Sequence, residues 1–438
     1  MSGVATLTSV PLSLLDEHFL NLDQEREPWG IHLEVRVGGR LDPGRLADAV
    51  RTAALRHPMA RARLAPANPT DLAYRWEIVD ALDEPPLTVV ECCDETRLAD
   101  TRERLYAFSP PVDVAPPFAV VLAHAPGGDT VMLNLHHAAA DGVGAIRLMR
   151  SILRAYAGEE DPVPAFDPLA VRDVLALAAA RSLEERVTRR RALTQAAVRR
   201  MAPITRVTRD GGERRAGYGF ELMALSHEET AAVVAKRGER ATVNDVLLAA
   251  LAAAIGAWNG RHDRYAGQIA LTMPVNLRPA EWHDEVVGNF ASYVTISLGP
   301  RDHGDLRRAI DVTADRTRRI KEEGLAGLVV ELLVGPSMLP VAAKRRLQDL
   351  IPLTGNRTVD TASLSNLLVL DGWPALGADA GGVEAVWVSP PGRSPLGAAV
   401  GAATVGGRLH VAIRYPRTQF DREAAGAFAV VYRDVLVA

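Results

Sequence analysis

Apolar and polar residues alternate with period two from Ile31 to Val37, and the pattern then lengthens to a helical one between Leu41 and Pro58. The alternation predicts a strand and the longer period a helix. Asp42 is placed as the helix cap, Pro43 takes its first position, Leu46, Ala49, Val50 and Ala53 form its buried stripe, and Pro58 stops it. Two further apolar runs, Phe118 to His124 and Thr130 to His137, flank the turn APGGD and read as a hairpin ending on two histidines. Beyond the loop AAADG, Val143, Ile146, Met149, Ile152, Leu153 and Tyr156 share one helical face.

The second half uses the same grammar. Tyr218 to Leu225 reads as a strand, and Ser226 with Glu229, then Thr242 with Asp245, form capping boxes for two helices. The second of these, VNDVLLAALAAAIGAW, is apolar on most faces and is expected in the core. Its longest apolar stretch, Val246 to Ile255, is too short and alanine-rich to span about 30 Å of hydrocarbon. Gln268 to Met273, Ser292 to Leu298, Ala362 to Leu370 and Arg408 to Tyr415 supply further strands. Strands interleaved with helices in both halves predict two α/β units facing each other, although no sequence repeat is visible.

Length and composition narrow the field. At about 150 residues per domain, 438 residues suggest two or three packing units. The 48% hydrophobic and 24% charged fractions are those of an ordinary globular chain. Lys+Arg 50 against Asp+Glu 54 leaves a net charge of -4, without the positive field that nucleic acid binding needs. That average conceals a local excess. Arg181 to Arg215 holds eleven arginines against Glu184, Glu185, Asp210 and Glu213, and with the prolines before it reads as an inter-domain linker. It is either a docking surface for an acidic partner or for phosphates, or a solvated basic helix. The adjacent Cys92 and Cys93 suit neither a disulfide framework nor a zinc site, and the start of the chain lacks a basic leader. A cytoplasmic protein without stable membrane insertion is expected.

One segment is dense in chemistry, His136-His137-Ala-Ala-Ala-Asp141-Gly142. Neighbouring strand residues point to opposite faces, so the two histidines cannot easily share a metal ion, and no metal is expected. No G-x-S-x-G elbow, Walker loop or G-x-G-x-x-G occurs. A histidine acting as base remains: at a strand end it faces a cleft with an ordinary pKa near 6.5. Small neighbours leave room for a substrate, and Asp141 is placed to lock the loop through a distant arginine. On these residues alone, a hydrogen-bonded histidine pair without chemistry stays an equal alternative.

The segment resembles the HHxxxDG signature of the CoA-dependent acyltransferase superfamily, whose members share the chloramphenicol acetyltransferase fold. They include nonribosomal peptide condensation domains, polyketide-associated acyltransferases and wax ester synthases. RHPMARARL at Arg56 to Leu64, VNDVLLAAL at Val243 to Leu251, PVNLRP at Pro274 to Pro279, Gly288-Asn289 and Ser365-Asn366 follow in the expected order, so the resemblance covers nearly the whole chain. It implies an α/β (α+β) fold of two chloramphenicol-acetyltransferase-like subdomains in a V-shaped pseudo-dimer with a central substrate channel. The expected division is 1–165, an Arg-rich linker 166–215, and 216–438. The resemblance makes His137 the catalytic base, and His136, Asp141, Gly142 and Arg278 structural, with Asp141 pairing with Arg278. Asn244, Ser365 and Asn366 line the channel or donate to the oxyanion, or else only make cap and strand-end hydrogen bonds.

The implied reaction is attack of a small-molecule alcohol or amine on an acyl thioester by a free-standing condensation-type acyltransferase of natural-product or lipid biosynthesis. No cofactor is held tightly. The donor is acyl-CoA or a phosphopantetheinyl acyl or peptidyl carrier protein. A wax-ester or diacylglycerol-type acyl-CoA O-acyltransferase is one alternative. A non-catalytic carrier-binding scaffold is another, although degenerate members lose the second histidine or the glycine and this chain keeps both. The DFGWG element of the plant BAHD branch is absent.

Overall fold

The computed structural model of the chain describes residues 7–162, 164–199, 203–212, 216–282, 286–350 and 359–438. Its first half contributes β1 (Thr8–Pro11), β2 (Gly30–Val37), β3 (Ala62–Leu64), β4 (Arg75–Ile78), β5 (Leu87–Glu91), β6 (Phe118–His124) and β7 (Thr130–His136). The second contributes β8 (Tyr218–Ala224), β9 (Ile269–Asn276), β10 (Ala291–Leu298), β11 (Ala362–Val369), β12 (Val383–Ser389), β13 (Ala399–Val405) and β14 (Arg408–Pro416). They form a five-stranded sheet in the order β12-β2-β7-β6-β5, a six-stranded sheet in the order β10-β9-β11-β13-β14-β8, and a small sheet β1-β4-β3.

Each large sheet has its own apolar core. In the first, the helices Pro43–Arg56 and Gly142–Ala157 pack together, and Leu46, Ala49, Val50 and Ala53 are buried as their spacing predicts. The Asp42 carboxylate accepts from the Arg45 amide, satisfying one of the open N–H groups of the first turn. In the second, the helix Val243–Arg261 lies under Leu306–Glu322 and Arg422–Val437. Both predicted capping boxes, Ser226 with Glu229 and Thr242 with Asp245, are formed. The helix Val243–Arg261 extends well beyond the apolar stretch read from sequence and reaches the length and apolarity of a membrane span. However, 67% of that window is buried inside the protein.

Two features depart from the sequence reading. Strand β12 comes from the second half but pairs antiparallel with β2, Val386 opposite Val35 and Val388 opposite Leu33, so residues 216–438 do not form a sheet of their own alone. Val386 and Val388 enter the first core, which is what holds the strand there. The Arg-rich stretch contains a basic helix, Leu183–Arg199, one of the two forms expected for it, but that helix is not wholly solvated. Arg189 on that helix is buried, ion-paired with Glu185 and Glu331 and donating to the Ala178 carbonyl. Arg206 donates to the carbonyls of Val359 and Asp360. Arg181, Arg186, Arg190 and Arg191 stay exposed, while Arg200, Glu213, Arg214 and Arg215 lie outside the described residues.

Candidate active site

Strand β7 ends at His136, and the chain then turns through His137 and three alanines into the helix Gly142–Ala157. The turn is held at its backbone. The His137 amide donates to the Trp29 carbonyl at 3.0 Å, and the His137 carbonyl accepts from Asn289 Nδ2 at 2.9 Å. His136 faces away from the cavity: its Nδ1 accepts from the Ala138 amide, and its Nε2 lies 3.5 Å from Asp23. Asp23 in turn accepts from the Trp29 amide at 2.8 Å. The His136 imidazole thus fixes the segment that fixes His137.

The His137 ring stacks on Phe19, centroids 3.8 Å apart and planes 14° from parallel, with Trp29 beside it at 6.3 Å. The residue is only 6% exposed although it lines the cavity, so the ordinary pKa expected from sequence does not hold. Burial lowers its pKa to about 4, opposed only in part by its own carbonyl and by Asp141. Nδ1 is buried without a hydrogen-bond partner from another described residue, so the ring addresses the cavity through Nε2. The alanines also differ from expectation. Ala138, Ala139 and Ala140 do not line the cavity but pack in the first core.

Asp141 caps the following helix, its Oδ1 accepting from the Gly144 amide at 2.9 Å. Its Oδ2 accepts from Arg278 Nη1 at 2.7 Å and from the Phe290 amide at 2.8 Å. Arg278 also donates to the Gly288 carbonyl at 2.6 Å and lies over the Phe290 ring. Both side chains are fully shielded, 0% and 2% exposed. Burial alone would raise the Asp141 pKa, but the Arg278 charge and the hydrogen bonds outweigh it and hold the carboxyl below its ordinary range. A Cβ at Gly142 would meet the end of the Leu367 side chain at 3.3 Å, and one at Gly144 would meet the Gly288 carbonyl at 3.0 Å, so the helix start packs tightly against the second half.

A cavity of about 890 Å³ opens between the halves. Its walls are mainly apolar, including Phe19, Trp29, Ile31, Met273 and Val388. His137, Asp141, Gly142, Asn244, Ser365 and Asn366 line it, whereas His136 and Arg278 sit behind it. Asn244 Nδ2 approaches the Met273 sulfur at 3.1 Å, and Asn366 Oδ1 accepts from the Leu368 amide where β11 is bulged. Sequence reasoning did not reach Phe19, Trp29, His18 or Tyr293. They come from distant segments, and no local pattern marks them. No group of three or more His, Cys, Asp or Glu placed to hold a metal occurs among the described residues.

Two chloramphenicol-acetyltransferase-like subdomains enclosing a cavity with a histidine at its wall define a class of transferase-type enzymes. The chain belongs to the condensation-domain family, whose profile matches residues 18–339. It is 41% identical over 431 residues, 97% of its length and 98% of the relative's, to the uncharacterized protein Rv2305 of Mycobacterium tuberculosis (strain ATCC 25618 / H37Rv). Among solved structures it is similar to the first condensation domain of the calcium-dependent antibiotic synthetase in complex with a substrate analogue (TM-score 0.70, 15% identity, 98% of this chain and 97% of that one). It also resembles SgcC5 from Streptomyces globisporus (TM-score 0.65, 18% identity, 98% of both chains). The epimerization domain of tyrocidine synthetase B is similar as well (TM-score 0.64, 16% identity, 98% and 97% coverage). A fold shared by condensation and epimerization domains does not by itself select the reaction.

Proposed function

We propose that this protein is a free-standing condensation-type acyltransferase that moves an acyl group from a thioester to a hydroxyl or amine, with His137 as general base. The observation that carries the reading is His137 itself: a neutral imidazole, stacked and backbone-pinned, presenting Nε2 to a cavity roomy enough for two substrates. The nucleophile attacks the thioester carbonyl while Nε2 accepts its proton. The tetrahedral intermediate then collapses, breaking the carbon–sulfur bond, and the departing thiolate recovers the proton from His137. No acyl-enzyme forms. Asn244, Ser365 and Asn366 are the candidates for lining the channel or donating to the oxyanion.

The donor is a substrate rather than a resident cofactor, either acyl-CoA or a phosphopantetheinyl carrier protein. The exposed arginines of the helix Leu183–Arg199 offer a surface for an acidic carrier. The unpaired thiols of Cys92 and Cys93 fit a reducing, cytoplasmic setting. The apolar walls favour a second reading within the same chemistry, a wax-ester-type acyl-CoA O-acyltransferase carrying a hydrocarbon chain.

Purified protein offered octanoyl-CoA and octanoyl-carrier donors with a panel of alcohols and amines, read by mass spectrometry, tests the reaction. His137→Ala is expected to lower single-turnover rates by about 10²- to 10⁴-fold while remaining folded. A near wild-type rate in this variant removes the base role.

A further inference from the structure

We propose that Leu368, Val369 and Val234 form an apolar rim at one mouth of the cavity, and that this rim carries the part of a long hydrocarbon chain that the cavity does not enclose. The inference rests on the acyl-transfer reading above and deepens it by naming the substrate class, a thioester or an acceptor with a long aliphatic chain.

The rim begins beside the HHxxxDG segment. The end of the Leu367 side chain lies 3.3 Å from where a Cβ on Gly142 would stand, and the next two residues of β11 carry the wall outward. Asn366 pairs with Ala402 and Val369 with Thr404, so three steps along β11 match two along β13 and the strand is bulged there. Leu368, inside the bulge, has φ 64°, a left-handed conformation in which glycine is usual because a Cβ crowds the backbone. Among the described residues Asp263 is the other non-glycine with positive φ, and a short polar side chain tolerates it better. The Asn366 side chain accepts from the Leu368 amide at 3.0 Å and holds the kink.

A leucine at this position is unfavourable twice over. Its backbone is strained, and its side chain is 61% exposed, beside Val369 at 60% and with Val234 at 38%. All three line the cavity, and residues that line a cavity while facing solvent stand at its opening. The wall joining them is continuous. Val369 lies opposite Thr404 and Thr404 opposite Leu409, whose amide donates to Thr230, one helical turn before Val234. Thr404, Leu409 and Thr230 line the cavity as well. Glycine would relieve the backbone and a polar residue would suit the water, so what Leu368 adds is apolar surface continuous with the cavity. The three rim side chains offer no charge and no hydrogen bond, and a hydrocarbon chain is the ligand such a surface suits.

The test varies chain length in two arms, each read as kcat/KM by mass spectrometry. One arm offers octanoyl and palmitoyl donors with a fixed short acceptor; the other offers 1-octanol and 1-hexadecanol with a fixed octanoyl donor. The donor is carried by CoA or by a carrier protein, whichever the wild type turns over. The wild type is expected to favour the longer chain by about tenfold in at least one arm, mainly through KM, and that arm identifies which substrate crosses the rim. Leu368→Gly, which suits the left-handed backbone, is expected to cut this ratio about fivefold while the melting temperature holds or rises. Val369→Thr, of nearly equal volume, is expected to cut it about threefold. Absence of a long-chain preference in both arms, an unchanged ratio in the two variants, or an equal fall with short and long chains overturns the rim. If the wild type acylates no alcohol or amine from either donor, the acyl-transfer reading fails on its own. Titration calorimetry with palmitate and octanoate then decides the rim. Tighter palmitate binding that weakens in Leu368→Gly supports it, and equal affinities, or a palmitate preference unchanged in that variant, overturn it.

Discussion

Asp141 and Arg278 do for the site what a covalent crosslink would do for a loop. The pair is buried, shares its hydrogen bonds with Gly144, Gly288 and Phe290, and ties the start of a first-half helix to a second-half segment. Removing one partner strands the other charge in a dry interior, a change that typically costs about 3–5 kcal/mol. Asp141→Asn is therefore expected to lose about that much stability in denaturant titration, together with most activity. A fully stable, fully active variant would contradict the bridge. The signature residues were legible in the sequence because they sit in one short run. The environment of His137 was not, since Phe19 and Trp29 reach the ring from more than a hundred residues away. For the same reason the sequence suggested an imidazole of ordinary pKa, where burial lowers it to about 4.

At the level of elements, strong signals were read correctly and weak ones were missed. Caps at Asp42, Ser226 and Thr242 each join a polar side chain to an open helix start, a pattern confined to four residues. Strand β13, AVGAATV, is buried on both faces and so shows no alternation to detect. The helix Leu183–Arg199 was expected to be solvated; it is largely polar, and Arg189, buried among its described residues, resembles the exposed arginines around it in sequence. Those exposed arginines carry an expectation of their own. Reversing Arg186, Arg190 and Arg191 to glutamate together should raise the KM for a carrier-borne donor by about tenfold at low salt, and by less at high salt where charges are screened. An unchanged, salt-independent KM would return the helix to a solvated surface.

The whole molecule carries an acid sensitivity that no single residue predicts. His18, His137 and His410 have pKa values lowered to about 4, His57 to about 3, and His32 well below its ordinary value, chiefly through burial. Each is neutral in the folded protein and gains a proton readily only when unfolded. Their stabilising effect is complete above about pH 6.5 and is lost progressively as the pH falls toward 4, at up to about 1.4 kcal/mol per pH unit for each histidine. Asp141, with its depressed pKa, adds a further loss at still lower pH. His262, half-buried and paired with Asp210, is shifted the other way. A thermal melting temperature that drops steeply between pH 6.5 and 5 is expected, and a flat profile over that range would count against the buried neutral histidines. The net charge of -4 gives no hint of this, because it sums groups without regard to where they lie.

The loan of β12 to the first sheet has a consequence for how such chains can be cut and recombined. A gene fragment ending near residue 215 would encode a sheet with β2 as a bare edge, its backbone groups open to pairing with other copies. A chimera joined at the same place would bring in a foreign strand at 383–389 to complete the native sheet. Split reporters and domain-swapped hybrids therefore keep a matched β2 and β12 only if both segments come from the same parent. A recombination that keeps the first sheet intact must carry the strand pair together, although more than three hundred residues separate its members.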